Sequence, residues 1–155
     1  MQAVRDAGSR PLKDQIKPSD ALPGVSDNHL LTAGEFGTPG SRRLVCLTDG
    51  STLVEQVLVG DATRFKYVVW NYTSEKARPI SFGVGEFVYT ALSATRNRMT
   101  WTYSFALNPD RWPGMLGGTG RFLFRKFFLE REYAAMMRGV LESTKRGAET
   151  VAASN

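Results

Sequence analysis

Apolar and polar residues alternate along residues 98–107, where Met99, Trp101, Tyr103, Phe105 and Leu107 interleave with Arg98, Thr100, Thr102, Ser104 and Ala106. A period of two with one apolar face predicts a half-buried antiparallel strand whose apolar side needs a cover. Upstream, two β-branched runs, Arg42–Leu47 and residues 52–59, flank Asp49-Gly50, a strong short-range hairpin signal. A third run over 65–73 follows a loop at 60–64, and a charged, proline-terminated loop at 74–79 leads to a strand over 81–91. Residues 93–97 turn that strand into the alternating one. Before the hairpin, 29–36 is apolar enough for a strand, which Gly37-Thr38-Pro39-Gly40 stops. Residues 1–26 carry Pro11, Pro18 and Pro23 with little periodicity and read as irregular, with one helical turn near 12–16.

The cover is a helix. After a loop over 108–120 the chain from 121 to about 148 holds no proline, and at 100° per residue Phe122, Leu129, Tyr133, Met136 and Val140 fall on one stripe, with Met137 at its edge. Arg131, Arg138 and Glu142 lie opposite, toward solvent. Gly139 interrupts this helix and is expected to permit close approach to the sheet. Phe124 and Phe127 fall off the stripe. Either the helix has not yet begun there and the rings pack under the preceding loop, or they form an exposed apolar patch for a membrane, a partner or an entering ligand.

Turn geometry decides which polar residues share a face. A three-residue loop at Thr48-Asp49-Gly50, with Gly50 left-handed, sets Leu47 opposite Ser51 and Arg43 opposite Glu55; a two-residue loop would part them. We expect the former. A five-residue loop at 60–64 sets Val59 opposite Phe65, Val57 opposite Tyr67 and Glu55 opposite Val69. Arg43, Glu55 and Tyr67 then line one surface among Val45, Leu53, Val57 and Phe65. A similar loop at 93–97 aligns Tyr89 with Trp101 and Phe87 with Tyr103.

Composition narrows the chemistry. The chain has 155 residues, enough for one domain with its own core. Its net charge of +5 comes from scattered basic pairs rather than a basic arm or recognition helix, so a solvated surface, not nucleic acid, is expected. With one cysteine, Cys46, set in an apolar strand, and one histidine, His29, near a strand start, no His/Cys-rich zinc site can be assembled, and no Gly-x-Ser-x-Gly is present to support a Ser-His-Asp triad. No metal and no cofactor is expected. The glycine-rich 114–120 lacks the Gly-Lys-Ser/Thr ending of a phosphate loop and reads as a hinge before the helix. No apolar run reaches membrane-spanning length and no signal core precedes the domain, which predicts a cytoplasmic protein; the glycosylation pattern Asn71-Tyr72-Thr73 reads as an accident of a strand.

Pro39-Gly40, Arg43, Asp49-Gly50, Glu55, Tyr67, Trp101, Phe105 and the long C-terminal helix together resemble the polyketide cyclase/dehydrase branch of the SRPBCC superfamily, related to START lipid-transfer domains and the birch-pollen allergen. The resemblance covers about residues 24–148. It implies an α+β helix-grip fold: a curved antiparallel sheet wrapped around the C-terminal α-helix, with a cavity between them for a lipid, polyketide or other hydrophobic compound. The expected organisation is an irregular segment over 1–26, a ligand-binding domain over 27–148 and a tail over 149–155. The family begins with a further strand and two short helices, which 1–26 matches poorly; the strand is degenerate, or the chain is truncated or starts downstream of that point. Without that strand a sheet edge lies open, and monomer and homodimer are both compatible.

Candidate pocket residues are Arg43, Glu55, Tyr67, Phe87, Tyr89, Trp101, Tyr103 and Phe105 from the sheet, and Leu129, Tyr133 and Met136 from the helix. For the rings, plain core packing is the competing reading. For Arg43 and Glu55 it is a cross-strand ion pair that fixes register. Facing a cavity, Arg43 would instead hold a ligand oxygen, Glu55 would orient it or take a proton, and Tyr67 or Tyr103 would donate one. Binding of a small hydrophobic molecule is the expected function, with cyclisation or dehydration of a poly-β-ketone as the enzymatic alternative. Contact with a membrane surface through the Phe124 to Phe128 region is a weaker third.

Overall fold

A computed structural model of the chain describes residues 11–19, 22–93 and 96–153. A short helix, α1 (Leu12–Gln15), precedes six strands: β1 (Val25–Leu30), β2 (Arg42–Leu47), β3 (Thr52–Gly60), β4 (Arg64–Trp70), β5 (Ile80–Ala91) and β6 (Asn97–Leu107). They form one sheet in chain order, each pair antiparallel, so every connection is a short local one. A long helix follows, made of α2 (Gly117–Phe124), a π-helical stretch (Arg125–Tyr133) and α3 (Ala134–Ala153). Backbone angles stay helical through both junctions, at Arg125 (φ −59°, ψ −49°) and Ala134 (φ −62°, ψ −33°). Sheet and helix make the α+β helix-grip architecture. Among the described residues no strand lies beyond β1 or β6, so both sheet edges are open, and no helix is long and apolar enough to cross a membrane.

The Asp49-Gly50 turn has the three-residue form. The Leu47 amide donates to the Ser51 carbonyl at 2.8 Å, the Gly50 amide donates to the Leu47 carbonyl at 3.1 Å, and Gly50 has φ +82°. Asp49 closes the loop by accepting from the Ser51 amide (3.0 Å) and hydroxyl (2.5 Å). Arg43 therefore pairs with Glu55, and Val57 with Tyr67. The next turn is shorter than expected, because Gly60 pairs with Phe65. A bulge between Val57 and Val59 absorbs the extra residue and restores the register that the longer loop would have given.

Several strand and helix boundaries differ from those expected. The first strand is Val25–Leu30 rather than 29–36: its side chains are mostly polar and exposed, as on an edge held by backbone bonds to β2, so it shows no apolar alternation. Gly34, at φ +87°, ends the extended path. Between β5 and β6, Phe87 pairs with Trp101 and Gly85 with Tyr103, because the turn closes at Ala91 and Asn97 instead of one residue later on each strand. The pairing moves by two residues and no side chain changes face. Residues 94–95 of that turn lie outside the described residues, as do 1–10 and 20–21 of the N-terminal segment and 154–155 of the tail.

The helix starts at Gly117, within the expected loop, and runs to Ala153, into the expected tail. Its glycine-rich start is therefore a helical turn and not a free loop. Gly139 is exposed with open space around it, so it brings no close approach to the sheet. Arg131, Arg138 and Glu142 are exposed as predicted. Cys46 is half-buried and free in β2, and His29 is exposed in β1 beside Asp27 (3.5 Å).

Gly50→Ala tests the turn on which the register rests. A Cβ there meets nothing within 4 Å, so the cost is backbone strain alone, about 1–2 kcal/mol. Urea unfolding should show that loss with an unchanged slope against denaturant.

Candidate functional site

A cavity of about 780 Å³ lies between the concave face of the sheet and the helix. Arg43, Glu55, Tyr67, Phe87, Tyr89, Trp101, Tyr103, Phe105, Tyr133 and Met136 all line it. Leu129 does not. The cause is the π-helical stretch: each hydrogen bond that closes over five residues instead of four adds a residue to the turn and rotates everything before it. Read back from Tyr133, the inward position is Phe128, five residues earlier, and then Phe124. Phe128 and Tyr133 both pack on Phe105, with ring centroids 6.0 and 5.0 Å away, and Phe124 reaches it at 5.8 Å. Phe122, expected on the inner stripe, is instead 56% exposed. Of the two off-stripe rings, Phe124 is internal and Phe127 is 60% exposed.

At one side of the cavity the Arg43 guanidinium donates from Nε (2.6 Å) and Nη2 (2.5 Å) to a single Glu55 oxygen, Oε2. Both side chains are nearly buried, 14% and 9% exposed. The other face of the guanidinium rests on the Phe36 ring, 3.7 Å from its centroid. Phe36 comes from the segment that leaves β1, and it had no strand periodicity to reveal it. The cross-strand pair and the cavity position, two competing readings of the sequence, therefore hold together. Burial outweighs the attraction of Arg43 and lifts the Glu55 carboxyl above its ordinary range.

Four tyrosines gather around this pair: Tyr67, Tyr72, Tyr103 and Tyr133, all lining the cavity. Burial raises every one of their phenol pKa values, and the nearby Glu55 carboxylate adds to it at Tyr67, Tyr72 and Tyr103. At neutral pH they are therefore uncharged hydroxyl groups. Space for them comes from two glycines of β5. A Cβ on Gly85 would run into the Tyr67 ring and hydroxyl, and one on Gly83 would lie 2.7 Å from Tyr103 Cε1 and 3.0 Å from the Tyr72 hydroxyl. Gly83-Val84-Gly85 is thus a bare strip of strand on which phenols lie flat.

Tyr72 is the site residue that periodicity missed. β4 ends at Trp70, and Asn71 adopts φ +54°, a left-handed turn that Asn tolerates. Thr73 is then tied back to Thr52 by two backbone-amide bonds, Thr73 to the Thr52 carbonyl (2.9 Å) and Thr52 to the Thr73 hydroxyl (2.7 Å). Tyr72 between them is turned inward. Asn71-Tyr72-Thr73 is a bend after the strand, not strand. The signal in the sequence was Asn directly after an aromatic-rich run.

Two buried polar atoms of the wall have no hydrogen-bond partner among the described residues: the Tyr72 hydroxyl and the Trp101 indole Nε1. The indole approaches Tyr67, and the Tyr72 hydroxyl approaches Tyr103, without completing a bond. A buried donor left unpaired costs about 1–3 kcal/mol. Glu55 Oε1 likewise accepts no hydrogen bond from a described residue, since both bonds from Arg43 go to Oε2. Among the described residues no three His, Cys, Asp or Glu side chains cluster.

The fold is that of several solved structures. Ara h 8.0201, a Bet v 1-like allergen, is similar with a TM-score of 0.57 at 15% identity, over 96% of this chain and 85% of that one. XoxI from Bacillus cereus is similar with a TM-score of 0.57 at 14% identity, over 97% and 87%. A putative uncharacterised protein from Bacillus thuringiensis gives 0.55 at 14%, over 92% and 88%. At these identities the likeness is one of fold, and it distinguishes no polyketide cyclase branch. No family model matches the sequence, and no curated protein does.

The raised Glu55 carboxyl has a measurable sign. The native state keeps its proton at pH values where the unfolded chain has lost it, so stability falls as pH climbs from the ordinary glutamate value of 4.5 to the raised one, and is level above it. Glu55→Gln removes this titration. Denaturant unfolding over a pH series should show the variant gaining on the parent through that window; parallel curves would remove the assignment.

Proposed function

We propose that the protein binds a small, largely apolar molecule carrying at least one acceptor oxygen, in the cavity between sheet and helix. The observation that carries this reading is the pair of unpartnered buried donors, Tyr72 Oη and Trp101 Nε1, in a wall otherwise made of rings. Unpaired donors of this kind gain most from a carbonyl, ether or carboxylate oxygen, because each would exchange a desolvation cost for a hydrogen bond. The cavity volume falls within the usual range for small-molecule sites, about 300–1,000 Å³. Phe87 stacked on Trp101, centroids 4.7 Å apart and planes 19° apart, offers a flat apolar wall that favours aromatic or polycyclic ligands. The helix-grip fold shared with Ara h 8.0201 supports a ligand-holding role.

A second reading, catalysis of the polyketide cyclase/dehydrase type, is favoured by one feature: a buried carboxylate with a raised pKa and a free oxygen, which is what a general base needs. The tyrosines weigh against proton transfer beyond that. Phenols pushed up by burial donate hydrogen bonds but give up their protons reluctantly, so Tyr67 and Tyr103 would steady an enolate oxygen rather than protonate it.

Displacement of a naphthalene dye, with native mass spectrometry of the purified protein, tests binding. Trp101→Phe and Tyr72→Phe keep the rings and delete the donors. Each should weaken an oxygen-bearing aromatic ligand about tenfold, the worth of one hydrogen bond, and leave a pure hydrocarbon ligand unaffected. A protein that takes up neither dye nor ligand ends the proposal. Arg43→Gln and Tyr67→Phe separate the two readings on a poly-β-ketone: an enzyme loses turnover, a carrier only modest affinity.

A further inference from the structure

We propose that the region running from the end of the β6 connection into the first turns of the long helix is a docking surface for an anionic lipid bilayer. Five large apolar side chains stand exposed there: Trp112 (65%), Met115 (63%), Leu116 (46%), Phe122 (56%) and Phe127 (60%). Trp112 and Phe127 both line a second, smaller cavity of about 340 Å³, whose wall is almost wholly apolar. Single exposed apolar residues are ordinary on protein surfaces; a tryptophan and a phenylalanine lining one surface cavity, with three more in the same stretch of chain, are not.

The charge around them selects the partner. Between Arg111 and Leu129 the sequence holds four cations, Arg111, Arg121, Arg125 and Lys126, and no carboxylate. All four are exposed. Glu130 alone answers Arg125 (3.3 Å) and Lys126 (3.0 Å), while Arg111 and Arg121 have no ion pair among the described residues. Exposed aromatic side chains interspersed along the chain with exposed long cations match the bilayer interface, where rings settle at headgroup depth and guanidinium and ammonium groups reach anionic phosphates. A second copy of the chain fits poorly, because a two-fold contact would set these cations against their own images.

The π-helical stretch joins this surface to the main cavity. Phe127 faces out and its neighbour Phe128 faces in, and Lys76, Ile80 and Phe128 line both cavities. A bilayer seated on Trp112 and Phe127 would thus lie against residues that also line the main cavity. Docking goes beyond the proposed binding function and stands independently of it.

Sedimentation of ligand-free protein with vesicles decides the matter. Protein should pellet with phosphatidylcholine vesicles containing phosphatidylglycerol, and release as salt is raised. The double variant Trp112→Ala/Phe127→Ser should lose roughly tenfold in partitioning. Arg111→Glu/Arg121→Glu should lose as much on anionic vesicles. Dye uptake by the main cavity in the absence of vesicles should be the same for all variants, which shows that they fold. Absence of pelleting, equal binding to pure phosphatidylcholine, or full binding by the double variant overturns docking. So does a concentration-dependent dimer that both variants abolish while vesicles bind nothing. Vesicle binding without dye uptake would sink the cavity reading and leave docking standing.

Discussion

The ion pair between Arg43 and Glu55 is the constraint around which the rest is arranged. Two charges almost sealed from water are expensive, and their attraction offsets that cost only with good geometry and further partners. The chain supplies three conditions. The Gly50 turn sets the two residues opposite each other on adjacent strands. Phe36 folds back to cover the guanidinium face. Both donors converge on one oxygen, which leaves the other Glu55 oxygen without a hydrogen-bond donor among the described residues. The register that makes the pair possible is also fixed by it, since a slip of one residue would bury an unpaired charge.

From that pair the polar character of the cavity spreads through phenols rather than charges. Glu55 contributes to the raised pKa of Tyr67, Tyr72 and Tyr103, and the hydroxyl groups approach one another along β5. Such an arrangement needs a strand with no side chains in the way, and Gly83 and Gly85 provide it at alternate positions of one face. Glycine weakens a strand interior by about 0.5–1 kcal/mol relative to alanine. Here that loss opens room for aromatic rings that bury far more surface.

Much of this could be read from the sequence, and the reasons differ between elements. The meander, the Arg43–Glu55 and Val57–Tyr67 pairings and the inward rings of β6 follow from local rules, a left-handed glycine and a period of two. The β3–β4 turn is one residue shorter than the sequence predicts, and a bulge between Val57 and Val59 compensates, so the predicted faces hold through a feature with no local sequence signal. β1 was misplaced because an edge strand needs only its backbone. Tyr72 was missed because one left-handed residue redirects the chain after its strand has ended. Leu129 and Phe122 were assigned inward because a fixed 100° step has no place for a turn that takes one residue more.

That extra residue is the last step in how the molecule is built. With α-helical spacing carried through from Phe128, the next inward position would fall at Arg131 or Glu132, both exposed here, and a charge would face the phenols. The π-helical stretch puts Tyr133 there, 4.8 Å from Tyr103, and keeps Met136 and Val140 in phase on the cavity wall. It also splits the aromatic run of the helix between two surfaces: Phe124 and Phe128 join Phe105 within, while Phe122 and Phe127 are left at the surface among Arg121, Arg125 and Lys126. The π-helical stretch over Arg125–Tyr133, a rare form of helix, is therefore accounted for by what it positions: an apolar, neutral cavity wall on one side, and a cationic aromatic face on the other.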